Sequence, residues 1–260
     1  MEYTFISMQK EDRVLTITLN RPPTNPLSSE FGRELCNAFG EAELMGDVTV
    51  VVIASALEKA FIAGADIKEM AAMSLEEAEE FSKLLQGANN TLTRMKKVVI
   101  AAINGHALGG GCELAMACDY RFMAAGKWLI GLPEATLGVV PGAGGTQRLP
   151  RLVGIARAMD ILLCGKAMGP EEALQIGLVN RVIEAESFMD EVMKFAHKLA
   201  GGAGKAMGFI KAAVHEGIEL PMEQALAVER KYGLENLLTH DAREGLTAFG
   251  EKRKPNFLNK

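Results

Sequence analysis

The sequence predicts an α/β fold, because short apolar segments typical of strands alternate with longer amphipathic segments typical of helices. Val14–Leu19 alternates apolar and polar residues, as a half-buried strand does. Residues 48–54 are almost continuously apolar, which is typical of a fully buried strand. Between these two segments lies a helix-length stretch that Ser29 would cap and that extends to about Glu43. Strands separated by helices indicate crossover connections.

The same alternation continues towards the C-terminus. The further elements expected in order are a loop at 59–68, a helix from 75 to about 95, a strand at 98–104, a helix after the glycines at 109–111, a strand at 119–124, and a glycine loop at 138–149 that runs into a helix. From about residue 195 the composition changes to helix formers, with amphipathic stretches at 195–216 and 222–238. We therefore divide the chain into a strand–helix core, residues 1–195, and a helical region, residues 196–260.

Composition and charge narrow the class of protein. With 48% hydrophobic and 23% charged residues, the chain resembles an ordinary globular protein. We expect no membrane partner, since no apolar run approaches the length of a span. Lys plus Arg total 28 against 33 Asp plus Glu, so the net charge of -5 does not favour nucleic acid.

Cysteine spacing and the N-terminus bear on the compartment. The four cysteines form no CxxC pair and match no histidine spacing, so we expect reduced thiols and no metal site. The first residues lack the basic and apolar regions of a secretory signal. Together these features predict a cytoplasmic protein.

Two glutamates stand out as candidates for chemistry. Glu113 lies alone in an apolar helix directly after three glycines, whose backbone amides can approach a ligand closely. The N-terminus of that helix adds partial positive charge. Glu134 follows another glycine turn. Such amides could hold an oxyanion while the two carboxylates handle a water molecule. The residues alone leave an alternative open, in which each glutamate is a core carboxylate bonded to turn amides.

Five motifs, in this order, resemble those of the enoyl-CoA hydratase/isomerase (crotonase) superfamily. They are Phe-Ile-Ala-Gly-Ala-Asp-Ile-Lys at 61–68, Asn-Gly-His-Ala-Leu-Gly-Gly-Gly-Cys-Glu at 104–113, Pro-Glu at 133–134, Pro-Gly-Ala-Gly-Gly-Thr-Gln-Arg-Leu at 141–149, and Phe-Gly-Glu-Lys-Arg-Lys-Pro at 249–255. The similarity extends through nearly the whole chain. It implies a crotonase-like spiral of ββα units and a C-terminal helical region that builds trimers, commonly stacked into hexamers.

The resemblance also implies a binding site for an acyl-CoA thioester. The backbone amides of Ala65 and Gly110 would donate to the thioester carbonyl and stabilise an enolate-like oxyanion. Loss of one such donor typically raises the activation free energy of the reaction by about 3–4 kcal/mol. The residues that the resemblance assigns to CoA or substrate binding are Ala63, Ala65, Asp66, Ile67, Lys68, Gly110, Phe249 and Lys252. Among them, Lys68 would lie near the phosphates, and Lys252 would reach them from a neighbouring subunit.

Hydratases similar to this chain carry both glutamates. The resemblance therefore implies that Glu113 activates the water that becomes the β-hydroxyl, and that Glu134 delivers the proton to the α-carbon. The expected reaction is syn hydration of a trans-2-enoyl-CoA to a 3-hydroxyacyl-CoA. Coenzyme A is then part of the substrate, and we expect no cofactor and no metal.

Two departures from familiar short-chain hydratases bear on the substrate. Leu132 occupies a position where those enzymes usually have Gln, and the segment 123–128 is about one residue longer. Both departures are expected near the acyl pocket, so a diene, branched or ring-derived enoyl-CoA stays an alternative. Double-bond isomerisation is another. A non-catalytic protein that binds CoA esters or RNA is a third, against which the acidic charge and the glutamate pair argue.

Overall fold

The protein has two β-sheets, and the larger one has six strands. The structure is a computed structural model that describes residues 3–260. The six strands of this sheet are β1 (Ile6–Glu11), β2 (Val14–Leu19), β3 (Val50–Ser55), β5 (Val98–Ile103), β7 (Tyr120–Ala124) and β10 (Arg181–Ile183), in that spatial order. Only the β1–β2 pair is antiparallel, and each later neighbour pairs in parallel.

A second, smaller sheet contains parts of the sequence motifs at 61–68 and 104–113. Its four strands are β4 (Ala60–Ala63), β6 (His106–Leu108), β8 (Ile130–Gly131) and β9 (Ala167–Met168), in that order. The first three are parallel, and β9 is antiparallel to β8. In each of the pairs β3 and β4, β5 and β6, and β7 and β8, the first strand belongs to the large sheet and the second to the small sheet, and a helix or 3-10 turn follows. The expected ββα spiral is confirmed.

Helices cover both sheets and continue to the C-terminus. They are α1 (Ser29–Leu44), α2 (Ile67–Ala72), α3 (Leu75–Arg94), α4 (Gly110–Ala117), α5 (Gly145–Val153), α6 (Ile155–Cys164), α7 (Pro170–Gln175), α8 (Phe188–Ala200), α9 (Gly204–Gly217), α10 (Met222–Leu237) and α11 (His240–Gly250), with a 3-10 turn at Glu134–Leu137 and another at Ala185–Ser187. Ser74 and Glu77 form a capping box at the start of α3, which satisfies two backbone amides at that end.

The sequence misplaced one cap and missed several short elements, three of them near the motifs. Ser28, and not Ser29, accepts from the backbone N–H of Phe31 and caps α1. The segment 59–68, expected to be a loop, contains β4 and the start of α2. The short strand β6 was also missed. These elements have six residues or fewer, too few for a hydrophobic period to develop.

The helical region begins within the core. The apolar face of α8 packs on the large sheet through Phe188, Val192 and Ala196, which are buried with Val50 and Phe122. The division into residues 1–195 and 196–260 stays a prediction, and its boundary lies inside α8. A helix that contributes to the core on both sides of that boundary belongs physically to the sheet it covers.

Large apolar side chains are exposed along the last three helices. Ile210 and Val214 of α9 are exposed, as are Leu234 of α10 and Leu246 of α11. A soluble monomer rarely leaves so extended an apolar surface uncovered. Within residues 3–260, the helices are all too short or too polar to cross a bilayer.

Glycine permits the close approach of α4 to the small sheet. A Cβ at Gly111 would lie 2.2 Å from the carbonyl oxygen of Ile62 on β4. Gly87, in the middle of α3, has nothing within 4 Å of its Cβ position. The same substitution should therefore have opposite effects at the two positions.

We expect Gly111→Ala to lower the free energy of unfolding by at least about 1–3 kcal/mol, because backbone atoms must move to admit the methyl group. Gly87→Ala is the matched control and should raise it by about 0.5–1 kcal/mol, since alanine favours a helix. Urea denaturation of both variants measures the difference. Equal effects of the two substitutions would contradict this packing.

Candidate active site

Three parallel strands of the small sheet end at the same edge. Ala63 of β4 pairs with Leu108 of β6, which in turn pairs with Gly131 of β8. Because the strands run in the same direction, the residues that follow them emerge side by side. This register brings the segments 64–65, 109–110 and 132–134 together, although they are far apart in the sequence.

The close fit of these segments requires glycine at position 109. Gly109 has φ 53°, in the left-handed region. A Cβ there would lie 3.0 Å from Oε1 of Glu134 and 3.6 Å from the Cα of Gly64. The glycine thus allows the Gly64 turn, the start of α4 and the Glu134 carboxylate to meet.

Two backbone amides are unpaired at this edge. Backbone bonds between Leu27 and the residues on either side of Ala65 fix that turn, with Leu27 N–H donating to Gly64 and Asp66 N–H donating to Leu27. Ala65 N–H itself has no acceptor among residues 3–260. Nor has Gly110 N–H, which belongs to the first residue of α4, where no intrahelical acceptor exists. Both donors are therefore available to an oxygen atom of a ligand.

Glu113 is buried and held through one oxygen. Its Oε1 accepts from the backbone N–H groups of Ala143 at 2.8 Å and Gly145 at 2.7 Å, while Oε2 accepts none from residues 3–260. Burial raises the pKa of this carboxyl, and the amide donors and the charge of Arg148 partly oppose that rise. One oxygen is thus fixed and the other is free to bind water.

Glu134 is held differently, at the start of the 3-10 turn. Its Oε2 is buried and has no hydrogen-bond partner among residues 3–260. Desolvation raises the pKa of Glu134 to about 7, and the negative charge of Glu113 acts in the same direction. The two carboxyls therefore differ in environment, and Glu134 is the one whose pKa lies near neutral pH.

Both carboxylates and both amides line one cavity of about 400 Å³. Its remaining wall is mostly apolar and comes from α2, α3 and the segment 137–140. The large side chains of that wall are Met70, Met73, Phe81, Leu85, Leu137 and Val140. The arrangement suits a ligand with a polarised carbonyl at the amides and an apolar chain beyond it.

The structure brings together most of the residues singled out from the sequence. Those that line the cavity are Ala63, Ala65, Ile67, Gly110, Glu113 and Glu134. Each role proposed for them stays a prediction. The alternative reading of Glu113 as a carboxylate bonded to turn amides describes Oε1 correctly but leaves Oε2 unoccupied.

Four other candidate residues do not line the cavity. The Asp66 carboxylate accepts from Arg21 at 2.9 Å and from the backbone N–H of Glu69, so it caps α2. Lys68 is exposed on the same helix. Phe249 is 87% exposed at the end of α11, and Lys252 is exposed beyond it. Within one chain these last two positions do not meet the cavity.

Leu132, expected near the acyl pocket, lies beside the cavity without lining it. Leu132 is fully buried and does not line the cavity. Its Cδ1 and the Oε1 of Glu113 each lie 3.0 Å from the Cβ position of Gly145, so Leu132 packs behind the glutamate. The segment 123–128 does not line the cavity either, and its Trp128 packs edge-on against His106.

Sequence reasoning missed the residues that support Glu113. The amides of Ala143 and Gly145 belong to the glycine loop 141–145, whose carbonyl groups are in turn held by side chains of α3. The available signal was three polar residues, Ser82, Gln86 and Asn89, spaced to share one face of a helix. Only the tertiary structure shows that the loop packs on that face.

This chain belongs to the enoyl-CoA hydratase/isomerase family, whose profile matches residues 9–260. It is 42% identical to the crotonyl-CoA hydratase of Syntrophomonas wolfei over the full length of both chains. It is 41% identical to the short-chain-enoyl-CoA hydratase of Clostridium acetobutylicum, with 98% of this chain and 97% of that protein covered. The crystal structure of an enoyl-CoA hydratase from Bacillus anthracis superposes with a TM-score of 0.94 at 37% identity, covering 99% and 100% of the two chains. The resemblance and the predicted fold are thereby confirmed.

The raised pKa of Glu134 predicts how stability depends on pH. An unfolded glutamate ionises around its usual pKa of 4.5, whereas the folded one keeps its proton to about 7. Ionisation therefore favours the unfolded chain as pH rises between these values. Relative to the parent, Glu134→Gln should become progressively more stable over this window, as measured by urea denaturation at several pH values.

Glu77→Gln is the control with the opposite sign. Hydrogen bonding from the backbone N–H of Ser74 lowers the pKa of Glu77, so its carboxylate stabilises the fold above its usual pKa and loses this contribution in acid. That variant should fall further below the parent as pH rises. A Glu134→Gln difference that is constant with pH would show that the carboxyl titrates normally.

Proposed function

We propose that this protein is an enoyl-CoA hydratase that adds water, in syn fashion, across the double bond of a trans-2-enoyl-CoA. The observation that carries the proposal is the meeting of a buried carboxylate, a half-buried carboxylate and two unpaired amides in one apolar cavity. The names of the two relatives, crotonyl-CoA hydratase and short-chain-enoyl-CoA hydratase, support a short enoyl chain as substrate.

The first step of the proposed reaction polarises the thioester. Its carbonyl oxygen accepts from Ala65 N–H and Gly110 N–H, which are oriented before the substrate arrives. As the enolate-like charge develops on that oxygen, fixed donors stabilise it without reorganisation. The thioester itself activates the conjugated double bond, so the proposed chemistry uses no cofactor or metal.

The two glutamates then divide the proton transfers. Glu113, as the carboxylate, binds water through Oε2 and removes one proton while the hydroxyl oxygen bonds to the β-carbon. Glu134, as the acid, donates its proton to the α-carbon. After the product leaves, the proton returns from Glu113 to Glu134, and the net change is addition of one water molecule. The pKa of about 7 suits Glu134 to this role.

The CoA moiety would extend from the amides to the surface. In this proposal Asp66, Ile67 and the exposed Lys68 lie along it, with the Lys68 ammonium near the phosphates. Lys252 and Phe249 lie apart from the cavity in their own chain, which supports a contribution from a neighbouring subunit. The exposed apolar residues of α9, α10 and α11 support association into a trimer, or a hexamer of two trimers. We place the protein in the cytoplasm, with no nucleic-acid or membrane partner.

Replacing either glutamate tests the proposed reaction. Glu113→Gln and Glu134→Gln should each lower kcat by about 10²- to 10⁴-fold, because each removes a proton-transfer group. The affinity for the CoA ester should change little, since neither group binds CoA. The assay follows the loss of conjugated thioester absorbance with crotonyl-CoA and with longer and branched enoyl-CoAs.

Glu76→Gln, an exposed change on α3, is the control and should retain the parent rate. Parent rates in both active-site variants would refute the acid–base roles. Turnover confined to 3-enoyl-CoA substrates would replace hydration by isomerisation. Salt-sensitive RNA binding without turnover would identify a non-catalytic protein.

The division of roles also predicts a bell-shaped dependence of kcat/KM on pH. Activity should fall above about pH 7 as Glu134 loses its proton, and fall in acid as Glu113 gains one. The two limbs describe the coupled pair rather than each residue separately. Initial rates with crotonyl-CoA from pH 5 to 9 measure the profile, and a flat profile over this range would contradict the assignment.

A further inference from the structure

The loop that binds Glu113 is itself held by α3. Gly142 and Ala143 share a peptide group, whose N–H donates to Oε1 of Glu113. The carbonyl of that same group accepts from Ser82 Oγ at 2.6 Å and from Gln86 Nε2 at 2.8 Å. A continuous series of hydrogen bonds therefore runs from α3 through one peptide to the carboxylate. Hydrogen bonds in such a series strengthen one another.

Asn89 makes the buried contact of this set. Its side chain is 3% exposed, and Nδ2 donates to the carbonyl oxygen of Ala143 at 3.0 Å. Ala143 is thus held from both sides, by Glu113 at its N–H and by Asn89 at its carbonyl. Solvent can replace the donors to Gly142, which is exposed, but not the one to buried Ala143. Loss of Asn89 would leave a buried carbonyl unpaired.

We infer that Asn89 is a positioning residue for hydration, which fixes the loop 141–145 so that its amides hold Oε1 of Glu113 and direct Oε2 to the water. Ser82 and Gln86 assist at the exposed edge of the same helix face. This inference rests on the proposed function. Small displacements of catalytic groups cost large factors in rate, and here the support is a polar helix face outside the reacting groups.

Two charged side chains, those of Arg148 and Glu134, lie near Glu113. Arg148 of α5 lies close enough to oppose the rise in the Glu113 pKa, and Glu134 faces it across the cavity. Arg148 donates to the side-chain oxygen of Asn90 at 2.8 Å. Asn90 is next to Asn89 in the chain but takes no part in the hydrogen bonds from α3 to the loop. A substitution limited to Asn89 leaves Arg148, Glu134 and Asn90 unchanged.

Asn89→Leu tests the inference, because leucine keeps the size of the side chain but cannot donate. We expect kcat to fall about 10- to 100-fold with KM within twofold of the parent. The acid limb of the pH profile should also move to higher pH, since the ionised Glu113 loses ordered donors. Leu92→Ala, fully buried on the same helix, is the control for lost stability and should not move the acid limb.

A second measurement does not depend on turnover. In full-length protein labelled with ¹³C at glutamate carboxyls, Glu113→Gln identifies the Glu113 signal, and its titration midpoint should rise in Asn89→Leu. If the parent hydrates no enoyl-CoA, the proposed function fails, while this titration still tests Asn89.

Three results would overturn the inference. The first is a folded Asn89→Leu variant whose kcat and Glu113 midpoint equal those of the parent. The second is an equal shift of the Glu113 midpoint in Leu92→Ala, and the third is a loss of kcat in Asn89→Leu without any shift of that midpoint. If Asn89→Leu does not fold, Asn89→Ala, which is smaller and also cannot donate, decides the question. A raised midpoint in it supports positioning by Asn89, and an unchanged midpoint refutes it.

Discussion

The parallel register of three very short strands determines the rest of the site. β4, β6 and β8 pair so that the chain leaves each of them at the same edge of the small sheet. Their ends supply the Ala65 amide, the Gly110 amide and the Glu134 side chain. A shift of one strand by one residue would turn all of its side chains to the opposite face of the sheet. The large sheet, the covering helices and the glycines all serve to keep these three ends aligned.

The two carboxylates share one cavity but lie in different environments. Glu113 lies deeper, and burial raises its pKa, but two backbone amides partly oppose that rise. Glu134 has no such donors at Oε2, so desolvation dominates its pKa. The amide donors to Glu113 thus favour its ionised form, and the proposed reaction needs the two carboxyls to differ in protonation.

The sequence predicted the parts of this structure that have local signals. The alternation of Val14–Leu19 and the predicted helix from 75 to about 95 match β2 and α3 closely. The unusual setting of Glu113 among glycines and apolar residues pointed to a site. β8 has only two residues, and its pairing with β6 depends on tertiary contacts, so no local pattern could reveal it. For the same reason Asn89 looked like any polar helical residue.

The cavity has a floor made of backbone and a wall made of side chains. Next to the floor in the chain, Gly111 and Gly131 leave no room for even one methyl group, since backbone oxygens lie 2.2 Å from each Cβ position. The wall, in contrast, consists of residues such as Met73 and Val140 whose size can change without disturbing any strand. New acyl preferences could therefore arise during evolution by exchange of wall residues, while the chemistry is inherited unaltered.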